Sequence, residues 1–238
     1  MIHFGVNKLK EKCTNFLVLD TEAIEKLELY GNLLLEWNEK INLTAITEPD
    51  EVLYKHFYDC LLFFDAVEVP RNASVIDVGT GAGFPGMVLK IARPDISLTL
   101  LDSLGKRVTF LSEVANSLSL EVNTLHLRAE DGGRDITLRE QFDISCARAV
   151  ANLNTLSEYC VPFVKLGGVF VAMKGKSAED ELATAKGALK TLGCSDFKVI
   201  HKTLRENEER SFIISKKTSQ TPPKYPRNSA KIAKAVLK

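Results

Sequence analysis

The chain has 238 residues, 45% of them hydrophobic and 26% charged, and its 31 basic and 31 acidic side chains balance to zero. Such a length suits one large domain, or a domain with a small extension, and the composition excludes a disordered polymer. No apolar run reaches the roughly 18 residues of a membrane span, and the start lacks the basic and apolar regions of a signal peptide.

The five cysteines are scattered without a C-x-x-C pair, and the histidines lack ligand spacing. No metal site and no disulfide framework is therefore expected, and the chain is assigned to the reducing cytoplasm. Charge is unevenly distributed. Acids dominate from Asp20 to Glu51, whereas Lys216, Lys217, Lys224, Arg227, Lys231, Lys234 and Lys238 follow Ser215 with no acid among them. A basic end of this kind is either a phosphate contact or a solvated tail.

The first 68 residues read as a helical extension. Ile24, Leu27, Tyr30, Leu33, Leu34 and Trp37 form one face of a helix from Thr21, capped by Asp20 or Thr21. A second helix begins at Thr47-Glu48-Pro49 and carries Val52, His56, Leu61 and Phe64. From residue 69 to 216 the texture alternates. Strands are expected at 74–78, 97–101, 122–127, 142–147 and 168–173, with helices at 87–92, 106–118, 153–164 and 178–192 between them. Such alternation implies a parallel sheet covered on both faces. Runs at 197–204 and 210–215 leave no room for a helix, so they form an antiparallel hairpin, and 217–238 is left as a basic tail.

The first strand ends in Asp77 and enters Gly79-Thr80-Gly81-Ala82-Gly83-Phe84-Pro85-Gly86. In an open α/β sheet, ligands bind at the carboxyl ends of the strands. Glycines there bring a ligand close to the backbone. The G-x-G-x-x-G pattern alone is a weak sign of a dinucleotide. Asp77 alters its meaning, because a carboxylate before the loop suits a cofactor with a cationic amino-acid portion and gives a pyrophosphate nothing. Asp102, at the end of the second strand, can accept hydrogen bonds from ribose hydroxyls. These features favour S-adenosylmethionine. Ala129 and Glu130, after the third strand, are placed to flank an adenine, and Arg148, after the fourth, to lie over the reactive end.

The sequence resembles the bacterial small-subunit ribosomal RNA methyltransferase G family, also called glucose-inhibited division protein B. The resemblance runs from Leu35-Glu36-Trp37-Asn38 through Asn42-Leu43-Thr44-Ala45, Gly83-Phe84-Pro85-Gly86, Leu101-Asp102-Ser103, Arg128-Ala129-Glu130 and Ala147-Arg148-Ala149 to Pro222-Pro223-Lys224-Tyr225-Pro226-Arg227. It implies a Rossmann-like class I methyltransferase: an α/β fold with a mostly parallel seven-stranded sheet and a C-terminal antiparallel hairpin. It also implies methylation of N7 of one guanine in 16S ribosomal RNA, free or in a precursor of the small subunit. The family's cofactor contacts fall on Gly79, Phe84, Ala129, Glu130 and Arg148. Asp77, Gly81, Gly83 and Asp102 are added from the loop argument. After Arg227 this chain departs from the family's glycine- and proline-containing ending.

Guanine N7 bears a lone pair and no proton, so no general base is expected, and catalysis reduces to alignment. Arg148 and Lys174 are expected to orient the guanine or nearby phosphates. Lys106, Arg107, Lys176 and the basic tail are further phosphate contacts. Nothing demands more than a monomer. The rival readings are an NAD-dependent oxidoreductase, which would need a separate substrate domain, and a non-catalytic RNA-binding protein, which would tend to have a degraded loop.

Overall fold

The computed structural model describes residues 2–238. Its centre is a seven-stranded sheet in the order β3-β2-β1-β4-β5-β7-β6. The strands are β1 (Ser74–Val78), β2 (Ser97–Asp102), β3 (Val122–His126), β4 (Phe142–Arg148), β5 (Val164–Lys174), β6 (Cys194–Arg205) and β7 (Glu208–Lys217). The first five pair in parallel, and β7 runs antiparallel to both β5 and β6. The strand order reverses between β1 and β4, which opens the crevice where such sheets bind ligands.

Side-chain alternation divides the interior into two cores. Val75 of β1 packs with the helical extension, α6 (Gly86–Ala92) and α7 (Gly105–Ser117). Ile76 and Val78 pack on the other face with α9 (Leu153–Cys160) and α10 (Ala178–Thr191). Between β3 and β4 lies the short helix α8 (Ala129–Gly132). The extension shares its core with the sheet.

In the extension, α1 (Lys8–Cys13) precedes the expected long helix, now α2 (Thr21–Ile41). Asp20 caps α2 by accepting from Ala23 N at 2.7 Å. The helix ends at Asn42, whose φ of 46° lies in the left-handed region that asparagine tolerates. Asn38 Oδ1 accepts from Leu43 N at 2.6 Å and Thr44 N at 2.8 Å, which folds this segment back against the helix end. The next helical run starts as expected at Pro49, as α3 (Pro49–Val52), and widens to π-helical pitch over Leu53–Tyr58. It continues as α4 (Asp59–Leu61) and α5 (Phe63–Ala66). Single π turns recur at functional sites.

The basic end folds back on the domain. Lys217 is the last residue of β7, fully buried, and pairs with Glu140 at 3.0 Å. Arg227 Nη2 meets Glu158 at 2.7 Å, and that carboxylate is wholly buried. Arg139 donates to the carbonyls of Thr221 and Tyr225 at 2.6 and 2.8 Å, strapping the chain across α8 and α9. A last helix, α11 (Ser229–Lys234), buries Ile232. Two of the tail's cations are thus withdrawn from phosphate contact, Lys217 because it is itself buried against Glu140 and Arg227 because it pairs with the buried Glu158.

Candidate cofactor and substrate site

The glycine loop is braced by the two acids that flank it. Gly79 N and Thr80 N donate to Leu101 O at 2.8 and 3.1 Å, joining the loop to β2. Asp77 Oδ2 accepts from Thr80 Oγ1 at 2.7 Å and Gly86 N at 2.8 Å. The side chain is fully buried, and burial pushes its carboxyl up to about 6. Asp102 Oδ2 accepts from Gly81 N and its Oδ1 from Leu104 N, both at 2.9 Å.

Neither acid lines a cleft. Alternation along β1 turns Asp77 under α6, and Asp102 closes the gap between two loops. Asp77, expected to offset the cofactor's ammonium directly or through water, and Asp102, expected to accept from the ribose hydroxyls, both hold loop backbone in place.

Two clefts meet at Gly79. The smaller, about 140 Å³, is formed by Leu101, Leu127, Ala129, Glu130, Val150 and Tyr159 with Gly79. Its lining mixes apolar side chains with the polar Ser103, Arg128 and Glu130, a combination that an adenine accepts. The larger, about 530 Å³, opens on the other side of the loop and is lined by Gly79, Gly81, Phe84, Arg148 and Lys174, and by Leu43, Thr44 and Ile46 of the extension.

Gly79 takes a φ of +70°, and a Cβ there would lie 2.9 Å from Val150 Cγ2. Only glycine leaves the passage between the clefts open. The pair of clefts fits S-adenosylmethionine, with the base in one and the amino acid and reactive sulfonium in the other. Of the expected contacts, Gly79, Gly81, Phe84, Ala129, Glu130 and Arg148 border this space, and Gly83 does not.

Arg148 is locked in place. Its Nη1 donates to Lys55 O at 2.8 Å and Asp59 Oδ2 at 2.7 Å, and its Nη2 reaches His56 Nδ1 at 3.0 Å. The guanidinium lies 5.0 Å from the centre of the Phe84 ring. That ring stacks on His56 at 4.4 Å on one side and on Tyr30 at 5.4 Å on the other. Phe84 therefore offers the cofactor its backbone more than its ring. Burial, and then the charge of Arg148, hold the His56 imidazole down at about 3.

His56, Asp59 and Thr44 were not singled out as site residues in the sequence. The only sequence signal for His56 was a polar ring on an otherwise apolar helix face. The π turn brings it round to the cleft.

Lys174 borders the cleft, but its ammonium donates to Ala151 O at 2.6 Å and pairs with Glu181 at 2.8 Å. Its orienting action on a substrate would have to compete with that pair. Lys106 and Lys176 are exposed, and Arg107 lies 3.6 Å from Asp102 at the cleft edge.

A seven-stranded sheet of this order, with a glycine loop after β1 that borders two clefts, defines a class I S-adenosylmethionine-dependent methyltransferase. Solved structures agree on the fold. A methyltransferase from Pyrococcus furiosus superposes with a TM-score of 0.55 over 82% of this chain and 98% of that one, at 15% identity. A SAM-dependent O-methyltransferase from Thermotoga maritima gives 0.52 over 79% of this chain and 73% of that one, at 14% identity.

Sequence comparison is narrower. The family profile described as rRNA small subunit methyltransferase G matches residues 23–212. The ribosomal RNA small subunit methyltransferase G of Clostridium perfringens (strain SM101) is 47% identical over 234 residues, covering 97% of this chain and 98% of the relative. Its counterpart in Alkaliphilus metalliredigens is 46% identical over 233 residues, covering 97% and 98%. The chain belongs to the rRNA small subunit methyltransferase G family.

Proposed function

We propose that this enzyme methylates N7 of a specific guanine in 16S ribosomal RNA, acting as a cytoplasmic monomer on the RNA or on a precursor of the small subunit. When bound, S-adenosylmethionine supplies a methyl group made electrophilic by its sulfonium. Guanine N7 needs no deprotonation to accept it. The observation that carries the proposal is the state of the ionisable groups around the larger cleft. His56 accepts from Arg148, Asp59 pairs with Arg148, Lys55 with Glu51 and Lys174 with Glu181. None is left free as a proton acceptor, which suits a nucleophile that carries no proton.

The chain's own contribution is placement. Gly79 and Gly81 let the cofactor lie against the backbone, Ala129 and Glu130 hold its base, and Arg148 gives a fixed cation at the reactive end. The base cannot be reached inside an A-form duplex, where N7 lies in a deep, narrow groove, so the target guanine must stand in an accessible loop.

The test has two parts. Thermal melting with S-adenosylhomocysteine at 100 times its dissociation constant should show about 2.7 kcal/mol of stabilisation, and NAD should show none. Labelled methyl should appear at guanine N7 when small-subunit RNA is the acceptor. Stabilisation by NAD alone would refute the cofactor assignment, and label on another atom would refute the substrate assignment.

A further inference from the structure

Along one wall of the larger cleft, the hydroxyl proton of Thr44 finds no acceptor among the described residues. Arg148 can only donate, so its 3.0 Å contact requires His56 Nδ1 to accept. A ring that accepts at Nδ1 is neutral and carries its proton on Nε2. That nitrogen lies 2.9 Å from Thr44 Oγ1, which therefore accepts. The low value of about 3 for His56 agrees with the neutral ring.

Thr44 Oγ1 also accepts from Ile46 N at 3.0 Å. Both lone pairs of the hydroxyl are then occupied, and its own proton meets no acceptor among the described residues. Thr44 is half-buried and borders the same cleft as Gly79, Gly81 and Arg148. Asn38 holds its backbone N–H at 2.8 Å, so the residue is fixed from the helix side as well. A hydroxyl whose acceptor positions are both taken can only donate, and this one stands at the border of the cleft.

The geometry points to Thr44 as the residue that recognises the target base, by donating its hydroxyl proton to the 6-carbonyl oxygen of guanine. The assignment rests on the guanine-N7 substrate proposed above. Guanine carries N7 and O6 as neighbouring acceptors on one edge, so turning N7 toward the methyl brings O6 to the same wall. Adenine would present amino hydrogens there, against a hydroxyl whose acceptor positions are already taken. Methylation places positive charge on the purine and weakens O6 as an acceptor. The bond therefore selects and orients the base and loosens in the product.

The test is a double-mutant cycle between enzyme and RNA. Small-subunit particles are reconstituted with guanine or with 2-aminopurine, which keeps N7 and lacks the 6-oxygen, at the target position. The wild-type enzyme should lose roughly five- to tenfold in kcat/KM on 2-aminopurine, as expected for one neutral hydrogen bond. Thr44→Val should lose a similar factor on guanine and then distinguish the two bases by less than about twofold. Its affinity for S-adenosylhomocysteine should stay within about twofold of wild type. Thr44→Ser, which keeps the hydroxyl, should retain the discrimination, and the unchanged S-adenosylhomocysteine affinity of Thr44→Val shows that its loss is not one of folding. A Thr44→Val enzyme that still discriminates as sharply as wild type would overturn this assignment alone. A wild-type enzyme that methylates an atom other than N7 would overturn the substrate and this assignment together.

Discussion

Alanine at Gly79 and alanine at Gly81 perturb the same loop in separable ways. Both glycines have positive φ, +70° and +62°, so either alanine is forced into a left-handed conformation. That strain costs about 1–2 kcal/mol. At Gly81 a Cβ meets nothing within 4 Å, and the cost stops there. At Gly79 the new methyl would stand 2.9 Å from Val150 Cγ2 and 3.2 Å from Cγ1, so Val150 must also move. Overpacking of this kind adds about 1–3 kcal/mol. For a chain of this size each kcal/mol shifts Tm by about 2–4 °C. Gly81→Ala should melt about 2–8 °C below wild type and Gly79→Ala lower again. Thermal melting with and without S-adenosylhomocysteine reads both effects. Gly79→Ala should also lose most of the ligand-induced shift, because its methyl and the displaced Val150 obstruct the passage between the clefts. Equal melting temperatures for the two variants, or a full ligand shift in Gly79→Ala, would refute the two-cleft description.

The pair that anchors the tail should respond asymmetrically. Arg227→Ala strands a fully buried Glu158 carboxylate and should cost about 3–5 kcal/mol, whereas Glu158→Ala leaves an arginine that is partly exposed and can turn to water, so it should cost less. Chemical denaturation of the two variants measures the difference, and the reverse order would contradict the burial described here. His56 should make stability depend on pH. Its folded value near 3 lies below the ordinary 6.5, so its contribution is complete above about 6.5 and is lost as pH falls toward 3. Lowering pH from 7.5 to 5.5 should remove about 1.4 kcal/mol through this one group. Asp77, raised to about 6, binds its proton more readily when folded and works in the opposite direction over the lower part of that range. Comparing wild type with His56→Asn at both pH values isolates the histidine, and identical pH dependence in the two would show that His56 is not held neutral.

Much of the fold was legible because apolar runs and glycines act locally. The strands of the sheet, the Asp20 cap and the Pro49 helix start all follow from a few neighbouring residues. The place of the glycine loop at the end of β1 was legible too, since a strand end and its glycines form a recognisable local setting. What was not legible depends on partners distant in the chain. Arg148 meets His56 and Asp59 across 92 and 89 positions, and no local pattern announces that pairing. The π pitch at Leu53–Tyr58 leaves the apolar spacing of a helix nearly unchanged, so the turning of His56 toward the cleft was hidden. The tail read as free charge because Lys217 and Arg227 look the same in sequence whether solvated or buried against Glu140 and Glu158.

Tyr30 donates from α2 to the carbonyl of Ala82, and its ring and that of His56 enclose Phe84. The back of the glycine loop is therefore built from residues some fifty and thirty positions earlier in the chain. That makes the loop a poor unit of transplantation. A chimaera that took residues 69–216 from this chain and its helical extension from elsewhere would inherit the four glycines without the wall that sets their shape. Specificity engineered in this scaffold has to move the extension and the loop as one piece.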